Sequence, residues 1–155
     1  MKPALWLLLP LLAGCVVERN VQCPIQAIAD RAIDRQVTLE QLLSSDAECD
    51  SGQLTEAYQA ALEQRCLPRR GWQDGLAGEP AYPHCQDRRA WREAYNLGGS
   101  YAAFQSELER LDRQIQQEGQ AGGQARMQRV RVVRELDAIT GAARLNGWIE
   151  AGDGS

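Results

Sequence analysis

The most regular helical pattern in this chain lies in the stretch WREAYNLGGSYAAFQSELERLDRQI, residues 91–115. From Leu97 to Ile115 its large apolar residues recur in alternating steps of four and three. This heptad rhythm is typical of a helix that packs along one stripe. The pattern predicts one long helix over residues 87–118.

A second helical segment follows after a short break. The sequence EGQAGGQ, residues 118–124, is rich in glycine and interrupts the pattern. A helix is predicted over residues 125–143, and two helices joined by so short a turn are expected to pack as an antiparallel hairpin. The heptads would also suit pairing between two chains, but the glycine-rich turn favours folding back. The stripe expected to face the first helix consists of Met127, Val130, Val133, Leu136, Ile139 and Ala143.

Three shorter helices are predicted before this hairpin. Thr38, with Gln41 three residues later, forms a capping box that opens a helix over residues 39–44. Apolar residues at helical spacing predict the other two helices, over residues 24–36 and about 51–66. The fold class is therefore all-α, a small helical domain that ends in a long helical hairpin.

The sequence between these two parts reads LPRRGWQDGLAGEPAYPHC, residues 67–85. Three prolines and three glycines predict a central loop rather than a long helix. Four aromatic residues lie in or beside this loop. They are expected either to line a groove for a peptide or glycan or, as is commoner in a small domain, to form its core. These candidate binding residues are Trp72, Tyr82, Trp91 and Tyr95.

The first fifteen residues, MKPALWLLLPLLAGC, are typical of a bacterial lipoprotein signal peptide. A basic Lys2 precedes an apolar stretch that is too short for a membrane-spanning helix. Leu-Ala-Gly-Cys at residues 12–15 fits the lipobox, so cleavage would leave Cys15 acylated and anchored in a membrane. The alternative is an ordinary signal peptide in which Cys15 is incidental. Val16 lacks the carboxylate typical of inner-membrane retention, which favours the outer membrane, facing the periplasm.

Four further cysteines remain after Cys15: Cys23, Cys49, Cys66 and Cys85. An even number in an oxidising compartment predicts two disulfides, with three connectivities possible. Pairing of nearest neighbours, Cys23–Cys49 and Cys66–Cys85, closes two moderate loops and is favoured. A metal site that uses His84 and Cys85 is the alternative, although no ligand spacing supports it.

Charge and motif content argue against several functional classes. The net charge is −4, which argues against general nucleic-acid binding, and the chain has a single histidine. Neither a nucleophile elbow nor a phosphate loop occurs, so no enzymatic activity and no cofactor or metal are expected. Asp74 and Glu79 near His84 form a weak acid–base alternative. Arg126, Arg129, Arg131 and Arg134 are expected to pair with Glu107, Glu109 and Asp112 of the facing helix or, alternatively, to bind an acidic partner.

A wider pattern of cysteines, glycines and aromatics spans residues 58–98, and it consists of Tyr58, Cys66, Gly71, Gly75, Gly78, Tyr82, Cys85, Trp91, Tyr95 and Gly98. It resembles a family of small Gram-negative lipoproteins known as domain of unknown function 2799. The resemblance extends over roughly residues 25–118, with Cys49 and Gly52 also matching. It implies an envelope lipoprotein with a disulfide-linked, glycine-rich core, and it implies no activity.

Together these features predict a signal peptide over residues 1–14, a lipidated tether over 15–23, one domain over 24–146 and a flexible tail over 147–155. The expected function is a non-enzymatic structural or protein-interaction role in the cell envelope. The alternative is a peptidoglycan- or peptide-binding module that uses the aromatic loop 67–85. The expected partners are the membrane, through the lipid on Cys15, and an envelope protein or peptidoglycan.

Overall fold

A computed structural model describes residues 23–119 and 122–150 of the chain. Cys15, the predicted signal peptide and all but the last residue of the tether lie outside these residues. Within them the chain forms six α-helices, one short 3-10 turn and no strand, which confirms the all-α fold. The helices are α1 (Ile25–Asp34), α2 (Leu39–Ser45), α3 (Ser51–Arg65), α4 (Pro68–Ala77), α5 (Arg89–Glu118) and α6 (Gly123–Leu145), and the 3-10 turn is Pro83–Cys85.

The starts of α2 and α3 are fixed by side chains that satisfy free backbone amides. The Gln41 amide N–H donates to the Thr38 hydroxyl, and the Gln41 side chain accepts from the Thr38 amide. The predicted capping box is confirmed. At α3 the carboxylate of Asp50 accepts from the Gln53 amide at 2.8 Å. Such caps replace hydrogen bonds that the first helical turn cannot make within itself.

The central loop predicted over residues 67–85 is wrong for its first half, which forms helix α4. Pro68 occupies the first turn of α4, where a missing amide N–H costs nothing. Gly78 ends the helix in the left-handed conformation, with φ +67°. The prolines and glycines at the two ends therefore mark where this helix begins and stops. Only residues 79–88 remain as a connection that includes the 3-10 turn.

Helices α5 and α6 form the predicted antiparallel hairpin. Leu111 near the end of α5 packs with Ala125 near the start of α6. Ala94 near the start of α5 packs with Ala143 near the end of α6. The predicted stripe on α6 is partly wrong, because Met127 and Val130 point outward. The stripe that faces α5 consists of Ala125, Val132, Leu136, Ile139 and Ala143.

The predicted flexible tail is wrong at its start. Trp148 is only 7% exposed and packs against Trp72, with the ring centroids 6.4 Å apart. Burial of so large an aromatic surface holds the chain end onto α4. The ordered domain therefore extends past residue 146, whereas residues 151–155 of the predicted tail lie outside the described part of the chain.

Two disulfides hold the first half of the domain together. Cys23–Cys49 ties the segment before α1 to the start of α3, and Cys66–Cys85 ties the end of α3 to the 3-10 turn. The predicted connectivity is confirmed. Because the sulfur of Cys85 is bonded to that of Cys66, the alternative of a metal-binding thiolate beside His84 is wrong. Among the described helices, none combines the length and apolar composition needed to cross a bilayer.

Candidate functional site

Helices α4 and α5 touch backbone to backbone at three glycines. A Cβ atom added at Gly71 would lie 2.5 Å from the carbonyl oxygen of Trp91. At Gly75 and Gly98 an added Cβ would approach the carbonyl oxygens of Tyr95 and Trp72 more closely still. No real Cβ occupies such positions, so this crossing requires glycine at all three sites. The crossing joins the disulfide-linked half of the domain to the hairpin.

The four aromatic residues predicted as candidate binding residues face the core. Trp72, Tyr82 and Trp91 are at most 3% exposed, and Tyr95 is half-buried and stacks on the ring of Trp91. The Tyr82 hydroxyl donates to the carbonyl oxygen of Ile33 at 2.9 Å, and burial raises the pKa of this phenol. The rings therefore contribute to the core, which was the commoner of the two alternatives, and Trp72 also lines an opening of about 200 Å³ together with Tyr101 and Trp148.

The carboxylate of the proposed acid–base group is already bound. Asp74 accepts a hydrogen bond at 2.6 Å from the guanidinium of Arg65, which also lies 5.0 Å from the ring centre of Tyr82. His84 is exposed, and its ring packs beside Tyr82 with the centroids 5.7 Å apart. The partner of Asp74 is therefore the permanently charged guanidinium of Arg65 rather than His84. This pair gives Asp74 a structural role, because it links α4 to α3.

A cleft of about 680 Å³ lies between α1 and α4 and is called the charged cleft below. Asp30 and Asp34 lie on the α1 wall, whereas Arg69 and Arg70 lie on the α4 wall. The two arginines have weak partners, since Arg69 is 3.4 Å from Glu150 and Arg70 donates to Gln73 at 3.5 Å. On the other wall, Asp30 accepts a hydrogen bond from Gln26 at 2.9 Å. The cleft thus presents opposite charges on facing walls, above an apolar floor of Ile33, Ala61 and Leu67.

A second opening, called the hairpin groove below, runs along one side of the α5–α6 hairpin with a volume of about 480 Å³. Its charged residues are Glu109 of α5 and both Asp137 and Arg144 of α6, so the rims carry both signs of charge. The four apolar or aromatic side chains that line it are Tyr101, Leu108, Val133 and Leu136. This combination of apolar lining and charged rims suits an amphipathic helix.

The predicted pairing of the α6 arginines with α5 holds for one residue. Arg129 donates to Asp112 at 2.6 Å across the hairpin. The pKa of Glu107 is lowered by its hydrogen bond to Arg110, so this carboxylate is used within α5. Within the described residues, no carboxylate lies within 4.0 Å of Arg131 or Arg134. The outward side of α6 therefore carries uncompensated positive charge.

The same side of α6 exposes apolar surface. Met127 is 71% exposed and Val130 is 52% exposed. The sequence pattern predicted both residues in the hairpin core. The prediction is wrong because α6 has apolar residues on two faces, and periodicity alone does not show which face α5 covers. One face on this outward side, called the outer stripe below, consists of Arg126, Val130, the half-buried Val133 and Asp137.

In comparisons with known proteins, no family model, no curated protein and no solved structure matches the chain. The resemblance over residues 25–118 therefore stays a prediction from the sequence.

Proposed function

We propose that this chain is a non-enzymatic lipoprotein of the outer membrane, with its helical domain facing the periplasm. The lipobox that ends at Cys15 supports the anchor, and the two disulfides agree with an oxidising compartment. Acyl chains on Cys15 hold the domain at the membrane surface through the tether. In this position the domain binds a partner in the cell envelope.

The observation that carries the interaction role is the outer stripe of α6. A helix that needs only one apolar face for its own fold normally places charged residues on the other. Here Val130 on the stripe is 52% exposed, and Met127 beside the stripe is 71% exposed. The stripe borders the hairpin groove, which offers further apolar surface. Together they form the interaction surface of the domain.

Cross-linking of the native chain in intact Gram-negative cells tests both parts of this proposal. The anchored chain should give a reproducible product with an envelope component, and a Cys15→Ala variant should lose both palmitate labelling and that product. Val130→Ser should weaken the product, whereas Leu145→Ser should not, although Leu145 is 90% exposed and lies on the same helix. An unlabelled wild-type chain would contradict the anchor, and equal products from Val130→Ser and wild type would contradict the surface.

The charged cleft supports a second candidate function, the binding of a short peptide that carries both an ammonium group and a carboxylate. The acidic wall of Asp30 and Asp34 suits the ammonium group, and the facing Arg69 and Arg70 suit the carboxylate. This candidate places the predicted peptide-binding role on α4 charges rather than on the buried aromatic rings. Its ligand would lie on the opposite side of α4 from the α5 crossing.

Calorimetric titration with the unblocked peptide Lys-Ala-Glu tests this candidate. Saturable binding is expected, and Arg70→Gln or Asp34→Asn should each weaken it about tenfold, since each removes one charged hydrogen-bond partner. A matched control peptide, in which Lys and Glu are replaced by norleucine and Gln and both ends are blocked, should not bind. Equal heats from the two peptides would rule out recognition by the opposed charges.

A further inference from the structure

The outer stripe has a regular order of charge and apolar character. Arg126, Val130, Val133 and Asp137 follow one another along α6 in steps of four, three and four, so they lie on one face of the helix. Arg126 and Asp137, at its two ends, are exposed, and the exposed Val130 and half-buried Val133 lie between them. The Arg126 guanidinium also donates to the carbonyl oxygen of Gly119, which leaves its other N–H groups for a carboxylate. The stripe therefore runs from a positive end to a negative end over an apolar centre.

This order is self-complementary for an antiparallel copy of the same helix. A two-fold axis that lies outside α6, over the stripe and perpendicular to the helix at the level between Arg131 and Val132, sets Val130 opposite Val133 of the second copy. The same operation sets Arg126 opposite Asp137 of the second copy. Because the axis is two-fold, each of these contacts forms twice. Every charge at the ends of the stripe then meets the opposite charge.

We propose that the outer stripe is a dimerisation surface, on which a second copy of this chain docks antiparallel, α6 against α6. This inference rests on the proposed interaction role of the hairpin and names its partner. The second α6 would lie over the hairpin groove and cover part of its apolar lining.

The apolar and charged contacts have different roles in this dimer. Burial of exposed Val130 and of the groove lining supplies most of the affinity, because apolar burial scales with area. Exposed ion pairs contribute little to affinity, but like charges placed face to face are strongly unfavourable. The contacts between Arg126 and Asp137 therefore fix the register and direction of the two helices. Reversing the charge of either residue should disrupt the dimer.

Charge reversal at these two positions gives a direct test. Sedimentation equilibrium of the full chain in density-matched detergent should show a monomer–dimer equilibrium. Arg126→Asp alone and Asp137→Arg alone each place like charges opposite one another twice, and each should weaken self-association about tenfold or more. An equimolar mixture of the two variants should restore dimers, because in the mixed pair both contacts again join opposite charges.

Two matched controls separate the stripe from general effects. Arg131→Asp makes the same change in net charge off the stripe and should leave the equilibrium unchanged. Leu145→Ser removes a more exposed apolar side chain from the same helix and should have no effect, whereas Val130→Ser should weaken the dimer. Circular dichroism should show the same helix content for every variant.

A wild-type chain that stays monomeric at all concentrations would overturn the dimer, as would a variant mixture that fails to recover. The proposed interaction role would survive either result if cross-linking in cells still gave a Val130-dependent product with a different envelope protein. Loss of both the dimer and every Val130-dependent product would overturn the two proposals together.

Discussion

Gly98→Ala should lower the free energy of unfolding by about 3 kcal/mol or more, because its new methyl group has no space. The added Cβ would press on the carbonyl oxygen of Trp72 and lie 3.0 Å from the amide nitrogen of Leu76. Both atoms belong to the backbone of α4, so relief requires the two helices to separate. Trp72 would then lose its packing against Tyr101 and Trp148.

The neighbouring Gly99 supplies the control for this substitution. An added Cβ there has its nearest neighbour, the carbonyl oxygen of Gly75, at 3.8 Å, an ordinary contact distance. Gly99→Ala should therefore be neutral or stabilise the protein by up to about 1 kcal/mol, as expected for alanine in a helix interior. Urea unfolding of both variants with the disulfides intact measures the difference. Equal midpoints for Gly98→Ala and wild type would refute the close crossing of α4 and α5.

Replacement of Cys66 and Cys85 by alanine should cost about 3–5 kcal/mol of stability. The disulfide closes a loop over a sequence separation of 19 residues, and both cysteines are at most 4% exposed in a cluster with Trp91. The substitution therefore removes a restraint on the unfolded chain and also leaves a space in the core. Without the bond to Cys66, the 3-10 turn that contains Cys85 is also expected to detach more easily from this core.

The other disulfide gives the comparison for this prediction. Cys23 and Cys49 are half-buried at the edge of the domain, so their replacement should cost less, about 2–3 kcal/mol, despite a longer loop. The same difference in access predicts that a mild reductant cleaves Cys23–Cys49 first. Alkylation followed by peptide mass analysis would show the order of reduction. Earlier labelling of Cys66 and Cys85 would contradict their buried position.

Local signals in the sequence predicted much of this fold. The capping box at Thr38 and Gln41 involves residues only three apart, so it can be read without knowledge of the tertiary structure. The heptad rhythm from Leu97 to Ile115 likewise marked α5 correctly, since one helix face repeats along the chain itself. Nearest-neighbour pairing of the cysteines was correct because short loops are the easiest to close.

The errors arose where tertiary contacts decide between local alternatives. Gly71 and Gly75 indicated a loop, but they lie within α4, since contact with α5 compensates for their poor helix propensity. Their spacing of four residues, which places both on one helix face, was the available signal for a close helix crossing. Trp148 was assigned to a flexible tail because nothing near it in the sequence indicates the contact with Trp72.

The candidate site was predicted less well than the fold. Aromatic residues such as Trp72 and Tyr82 suit both a binding groove and a core, and composition does not distinguish them. The exposed side of α6 was missed because Val130 belongs to one of two apolar stripes on a single helix. Only the position of α5 shows that the stripe through Val132 is the covered one.

Position-specific photo-cross-linking in intact cells tests whether the outer stripe of α6 contacts a partner. A photoreactive benzoyl-phenylalanine would replace Val130 in the full chain and, in a parallel strain, Leu145. We expect a discrete cross-linked product from position 130, at the mass of two copies of this chain, and none from position 145. Equal labelling from both positions, or no product from position 130, would contradict a docking role for the stripe.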